Sequence, residues 1–288
     1  MPVQKQLPCG CTVQGFKSGK WFFTKLCSNH KEPYYANPKK MVEELGEKLK
    51  KKSRMYERTK TWNSALGCTY QCIYCKPSFQ ETVARFTMLS GSNCSFCLNY
   101  VPHEHPERLN KIPSAPIIFV FGDGDITHYR PEFVRQVIAR IKEHVKRCPC
   151  KLFYFQSKNP ACLQQYLEDL HSIEKNVILL TTLETNRDVG YKKISKAPPP
   201  SKRFKDFQTL NWKRKIVTIE PVMDFDLDAF LEWIKQIRPE AVYLGYNSRP
   251  EKVSLPEPPK EKFWKLKEQV EQLGIEVKLK NTDRLARK

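Results

Sequence analysis

Cys68, Cys72 and Cys75 lie within Gly67-Cys68-Thr69-Tyr70-Gln71-Cys72-Ile73-Tyr74-Cys75, a C-x3-C-x2-C run with an aromatic residue just before the last cysteine. Three thiolates this close can hold three irons of a 4Fe–4S cluster and leave the fourth iron open to a ligand. The competing reading is a structural zinc knuckle. Such a knuckle needs four protein ligands, and no fourth candidate stands beside these three.

Two further groups have metal-ligand spacing. Cys9, Cys11, Cys27 and His30 form C-x-C-x15-C-x2-H. Thr12 to Phe16 and Trp21 to Lys25 read as strands around the turn Lys17-Ser18-Gly19-Lys20, and a hairpin would bring the two ends together. A Cys3His tetrahedron suits structural zinc, and so short a module needs a metal to be stable. Cys94 and Cys97 precede His103 and His105. This set also reads as zinc, with an auxiliary iron–sulfur cluster, a site completed by only one of the histidines, or unliganded thiols as alternatives. On a strand the two histidines would share a face, because side chains alternate with period two. Cys148, Cys150 and Cys162 read as ordinary buried or chance cysteines.

The elements that must position these groups follow from the pattern along the chain. Residues 1–35 read as the zinc-binding hairpin module and 36–60 as a charged helix and linker. The helix would run from Asn37 to about Arg58, with Met41, Leu45, Leu49 and Met55 as its apolar positions. Residues 61–288 then alternate short apolar strands with amphipathic helices. Strands are expected at Trp62 to Leu66, Ile117 to Phe121, Leu152 to Gln156, Val177 to Thr182, Ile216 to Ile219, Ala241 to Tyr246 and Ile275 to Leu279. Helices are expected at Pro131 to Arg147, Pro160 to Leu170, Leu227 to Gln236 and Glu261 to Leu273. The pattern predicts an α/β fold, a partial or full β/α barrel of parallel strands, with the Cys/His segment at about 90–110 as an insertion. Polar residues just after each strand should then line the open, C-terminal face.

Those residues are Gly122-Asp123-Gly124-Asp125, Ser157-Lys158, Glu184-Thr185-Asn186-Arg187, Glu220-Pro221 and Asn247-Ser248-Arg249. With the cysteine motif they resemble the radical S-adenosylmethionine (radical SAM) superfamily. Tyr154 to Pro160, Thr218 to Pro221 and Gly122 to His128 are similar to its phage-associated branch and, more distantly, to spore photoproduct lyase. The resemblance covers about residues 60–280. It implies that Cys68, Cys72 and Cys75 carry the cluster and that the open iron binds the amino and carboxylate groups of SAM. It implies reductive cleavage of SAM to a 5′-deoxyadenosyl radical, with an electron donor such as ferredoxin or flavodoxin. The Gly122 to Asp125 segment would receive the methionyl amino group, although the usual paired glycines and glutamate are altered here. Lys158 or Arg187 would hold the SAM carboxylate, Glu184 and Asn186 the ribose, with Asn247 also on the cofactor side, and Glu220 would face the substrate. No residue stands out as a second radical carrier, Cys162 and Tyr246 being the nearest candidates.

Charge points to the partner. The 288 residues carry a formal net charge of +19, which suits an anionic partner, most simply nucleic acid such as tRNA or DNA. Lys192 to Lys205 reads as an extended, basic, proline-rich connection over the open face, with Phe204 or Phe207 free to stack on a base. The absence of a long apolar run and of a signal-peptide segment argues against a membrane protein. The clustering of the 11 cysteines as metal sites suits a reducing, cytoplasmic setting. Two other classes remain open: a radical SAM enzyme acting on a protein or small molecule, and a non-catalytic, zinc-stabilised nucleic-acid-binding protein.

Overall fold

The computed structural model describes residues 3–6, 12–15, 21–25, 56 and 58–282. Cys9, Cys11, Cys27 and His30, and all but the end of the expected charged helix, lie outside the described residues. Near the N-terminus, β1 (Val3–Gln6), β2 (Thr12–Gly15) and β3 (Trp21–Lys25) form an antiparallel three-stranded sheet, one strand more than the expected hairpin. The helix does not reach Arg58, because Tyr56 and Arg58 have φ of +57° and +62°, outside the helical region.

The main sheet has seven strands, all parallel and lying side by side in chain order. They are β4 (Thr59–Trp62), β7 (Ile117–Val120), β8 (Leu152–Gln156), β9 (Val177–Thr182), β10 (Lys215–Ile219), β11 (Ala241–Gly245) and β12 (Glu276–Lys280). The sheet curls into an open half-barrel. The expected first strand is split, since the chain breaks after Trp62 and resumes as β5 (Ala65–Leu66), which pairs antiparallel with β6 (His103–Glu104). That pair ties the insertion to the start of the cysteine loop.

Strand periodicity sorts the two faces. Ile118, Val120, Phe153, Phe155, Val217, Ile219, Val242 and Leu244 point to the convex side and join the main core. Helices cover that side: α3 (Pro131–Arg147) buries Phe133, Val137, Ile138 and Ile141, α6 (Leu227–Ile237) buries Phe230 and Ile234, and α7 (Lys260–Gln272) buries Phe263 and Leu266. The concave side carries a separate apolar floor of Tyr154, Ile178, Leu180, Ile216 and Tyr243. Tyr56 stands on it, its ring 5.8 Å from Phe119 and 5.4 Å from Tyr243. The shorter helices are α1 (Glu81–Leu89), α2 (Ser95–Leu98), α4 (Leu167–His171) and α5 (Pro200–Thr209).

Helix α5 corrects the reading of Lys192 to Lys205 as an extended connection. Pro200 occupies a first-turn position, where the missing N–H costs nothing, and Arg203, Phe204 and Phe207 are on the buried face. Phe204 stacks on Trp233 at 4.5 Å, so neither phenylalanine is free to stack on a base. Lys215 Nζ donates to Phe207 O and Leu210 O at 2.8 and 2.7 Å, closing the end of this helix. Pro160 to Leu170 is likewise not one helix but a 3-10 segment to Tyr166 followed by α4.

Candidate active site and second metal centre

The cysteine loop leaves β5 through Gly67 and runs into a helical turn at Lys76–Gln80, whose amides at Phe79 and Gln80 donate to Cys75 O. Gly67 has φ +93°, and a Cβ there would lie 2.4 Å from Val101 O. Gly124 meets the same loop from the other side. A Cβ on it would fall 1.8 Å from Tyr129 Oη, which donates to Gly67 O at 3.1 Å. Glycine at Gly124 lets the loop after β7 press against the cysteine loop, and glycine at Gly67 admits the Val101 carbonyl of the insertion.

Cys68, Cys72 and Cys75 open together on a cavity of about 340 Å³ at the C-terminal ends of the strands. Its other lining residues include Gly122, Gly124, Asp125 and Lys158 beside the cysteines. Thr61, Gln156, Thr182, Thr218, Glu220 and Lys280 line the sheet side, and Phe79, Gln80 and Tyr100 come from the insertion side. His128 Nε2 lies 3.5 Å from Cys68 Sγ and Ser195 Oγ 3.1 Å from Cys72 Sγ. Contact with Cys75, and then Lys158, lowers the Cys72 thiol, and the same contact raises Cys75.

The residues expected after the strands divide into two sets. Gly122, Gly124, Asp125, Lys158 and Glu220 line the cavity. Asp125 is buried and fixed, since Ser157 Oγ donates to Oδ1 at 2.7 Å and Lys158 N to Oδ2 at 2.8 Å. Glu220 Oε1 accepts from Lys280 Nζ at 2.8 Å. Asp123 instead turns to Asn63, whose Nδ2 donates to Oδ2 at 2.6 Å; burial raises its carboxyl. Asn186 and Arg187 hold the loop before α6, Asn186 Nδ2 donating to Asp226 O at 2.8 Å and Arg187 pairing with Asp224 and Asp226 at 2.5 Å. Asn247 Nδ2 donates to Val253 O at 2.7 Å.

Glu184 is fully buried in an ionic cluster. It accepts from Tyr74 Oη and Lys158 Nζ, and from Tyr191 Oη at 3.0 Å. The Arg203 guanidinium sits 2.8 Å from Oε2, an ionic contact rather than a directed hydrogen bond. Burial would raise the Glu184 carboxyl, but Arg203 and then Lys158 hold it well below the usual range. Through Tyr74 this cluster anchors the cysteine loop to the sheet. The sequence reading did not find Gln156, Thr182, Thr218 and Lys280. They are inward positions at strand ends, and strand periodicity gives that signal only once the concave face is known.

Cys94, Cys97, His103 and His105 place their ligand atoms within 4.8 Å of one another. Cys97 Sγ is 3.2 Å from Nε2 of each histidine. Each remaining ring nitrogen is held at 2.7 Å, His103 Nδ1 by Val101 O and His105 Nδ1 by Glu107 Oε1, the outer-shell arrangement that orients metal-binding histidines. Tetrahedral sites with bonds of about 2.0–2.3 Å require this spacing. Among the described residues no other group converges so, and the three motif cysteines with His128 do not. Their donor set, thiols facing an open cavity, fits a multi-iron cluster better than a single ion.

No protein-family model matches the chain, and no curated protein matches it. Among solved structures, the fold is similar to that of Streptococcus suis SuiB, bound to the precursor peptide SuiA, which aligns over 90% of this chain with a TM-score of 0.52 at 10% identity. The alignment covers 57% of SuiB, so the chain spans little more than half of its length. A radical SAM methyltransferase from Sphaerobacter thermophilus aligns over 98% of this chain and 76% of its own, with a TM-score of 0.48 at 12% identity. Among the described residues no helix is long and apolar enough to cross a membrane.

Proposed function

We propose that this chain is a radical SAM enzyme. The observation that carries the reading is that Cys68, Cys72 and Cys75 open on one cavity at the C-terminal ends of a parallel half-barrel. These residues would hold a 4Fe–4S cluster which, with SAM, supplies reductive cleavage to a 5′-deoxyadenosyl radical. Gly122 and Gly124 offer bare backbone beside the cysteines, and Asp125 gives a fixed carboxylate for the ammonium end of SAM. Lys158 offers a cation for its carboxylate. Glu220 and Lys280 stand on the sheet side, where the substrate would lie. Glu184, Asn186, Arg187 and Asn247 serve by holding the loops. Cys94, Cys97, His103 and His105 would hold zinc that fixes the insertion walling the cavity.

Nucleic acid is the substrate class we favour. Besides the net charge, support comes from the Lys192 to Lys196 turn, which bonds directly to the cysteine loop: Ile73 N donates to Ile194 O at 3.0 Å and Lys196 N to Tyr70 O at 2.7 Å. Lys192, Lys193 and Lys196 are exposed there, at the rim where a phosphate backbone would pass. A protein in the cytoplasm, supplied with electrons by ferredoxin or flavodoxin, is the matching setting.

The test is anaerobic reconstitution, iron and zinc analysis, and EPR of the reduced protein with and without SAM. A cluster signal that changes with SAM and is absent from Cys72→Ala supports the reading. Zinc without a cluster rejects it in favour of a metal-stabilised binding protein. Oligonucleotide affinity that falls with salt, and falls further when Lys192, Lys193 and Lys196 are neutralised, supports nucleic acid. Affinity for peptide alone would replace it.

A further inference from the structure

The insertion exposes apolar side chains that the cavity does not use. Phe86 is 58% exposed, Met88 63%, Leu89 75% and Phe96 54%. Soluble proteins seldom leave so much apolar surface together without a partner. α1 and α2, which carry these residues, pack inward through Val83 and Cys97, with Tyr100 just after α2, and Cys68 packs against that same cluster. One layer of side chains therefore separates the exposed patch from a cluster ligand.

Positive charge borders the patch. The Arg85 guanidinium lies 5.3 Å from the Phe86 ring centroid. At the start of α1, Lys252 pairs with Glu81 at 2.6 Å, and Lys76 and Arg249 add to the field there.

We propose that the outer face of α1 and α2 docks the protein that reduces the cluster: an acidic one-electron carrier of the flavodoxin or ferredoxin class. This rests on the radical SAM reading. The carrier gives up one electron and the 4Fe–4S cluster gains it, with no bond made or broken. An apolar centre with a basic rim suits a transient acidic partner, the centre giving contact and the rim giving rate. Val83 and Tyr100 belong to the apolar cluster that Cys68 also touches, so this face lies close behind the cysteine loop.

The experiment uses the full reconstituted chain and a variant carrying Phe86→Ser, Leu89→Ser and Phe96→Ser. Bleaching of the cluster is followed after mixing with dithionite, with reduced flavodoxin and with reduced ferredoxin, and the affinity for each carrier is measured directly. The expected result is an unchanged dithionite rate and at least a tenfold loss in rate and affinity with a carrier. In the parent protein the carrier rate should fall as salt rises. A second variant, Arg85→Glu with Lys252→Glu, should show the same selective loss, and it decides the matter if the first variant does not hold a cluster. Carrier rates unchanged in the variants, or no reduction of the parent by either carrier, would overturn the proposal. So would a patch variant that loses only oligonucleotide affinity, or only self-association. A parent protein without a cluster would instead sink the underlying reading.

Discussion

Replacing Glu184 by glutamine tests the ionic cluster behind the cysteine loop. The carboxylate and the Arg203 guanidinium are both 0% exposed, and Lys158 is 12% exposed. Glutamine keeps the shape and can still accept one hydrogen bond, but it leaves a buried guanidinium with no anion. Breaking a buried pair in this way costs about 3–5 kcal/mol, a large share of the roughly 5–15 kcal/mol of a typical domain. Lys158 contributes little to the loss, since it can turn toward the cavity. With urea slopes of about 1–3 kcal/mol per molar, the unfolding midpoint should fall by at least about 1 M. Because Glu184 also accepts from Tyr74 Oη, the variant should retain less iron after reconstitution than the parent protein. The assay is urea unfolding followed by circular dichroism, paired with iron analysis. Removing both charges, Glu184→Leu with Arg203→Leu, should recover most of the stability, because a well-packed apolar pair often replaces a buried ion pair without loss. A midpoint shift below about 0.3 M in Glu184→Gln, about 0.3–0.9 kcal/mol by the same slopes, would refute the reasoning. So would a double variant as unstable as the sum of the single ones.

Cys97→Ser should lose one equivalent of zinc and speed amide exchange across residues 81–105, while iron at the Cys68 site stays; mass spectrometry and metal analysis read both. Gly124→Ala should lose about 1–3 kcal/mol by overpacking, because its Cβ would meet Tyr129 Oη. Tyr129→Phe, which removes that oxygen, should recover part of the loss when combined with it, as urea midpoints will show. His144 is held down at about 4 by burial, with Lys151 and Arg147 adding to the effect. The folded state therefore binds fewer protons than the unfolded chain between about pH 6.5 and 4, and stability falls as pH drops through that window. His144→Gln should lose stability less steeply from pH 7 to 4, measured by the same unfolding assay.

Cysteine and histidine spacing and the succession of strands and helices were legible in the sequence because both are local. Cys94 and Cys97 with His103 and His105 converge over a few residues, and Cys68, Cys72 and Cys75 share one short loop that opens on the cavity. Leu152–Gln156, Val177–Thr182 and Pro131–Arg147 have the bounds that their apolar periods suggested. Short apolar strands separated by helices point to a parallel sheet with helices packed on it. Helix α5 was hidden by its prolines, although Pro200 begins the helix.

The destination of each polar group after a strand was decided by the tertiary structure. Lys158, Glu184 and Arg203 meet only when β8, β9 and α5 pack side by side, and nothing in the spacing of these residues requires a buried ion cluster there. Asn186, Arg187 and Asn247 follow strands just as Asp125 and Glu220 do, yet they bind neighbouring loops and not the cavity. Period two governs a side chain's direction only within the strand. Beyond its last residue, backbone turns and the neighbouring elements set that direction, and these depend on contacts between residues tens of positions apart.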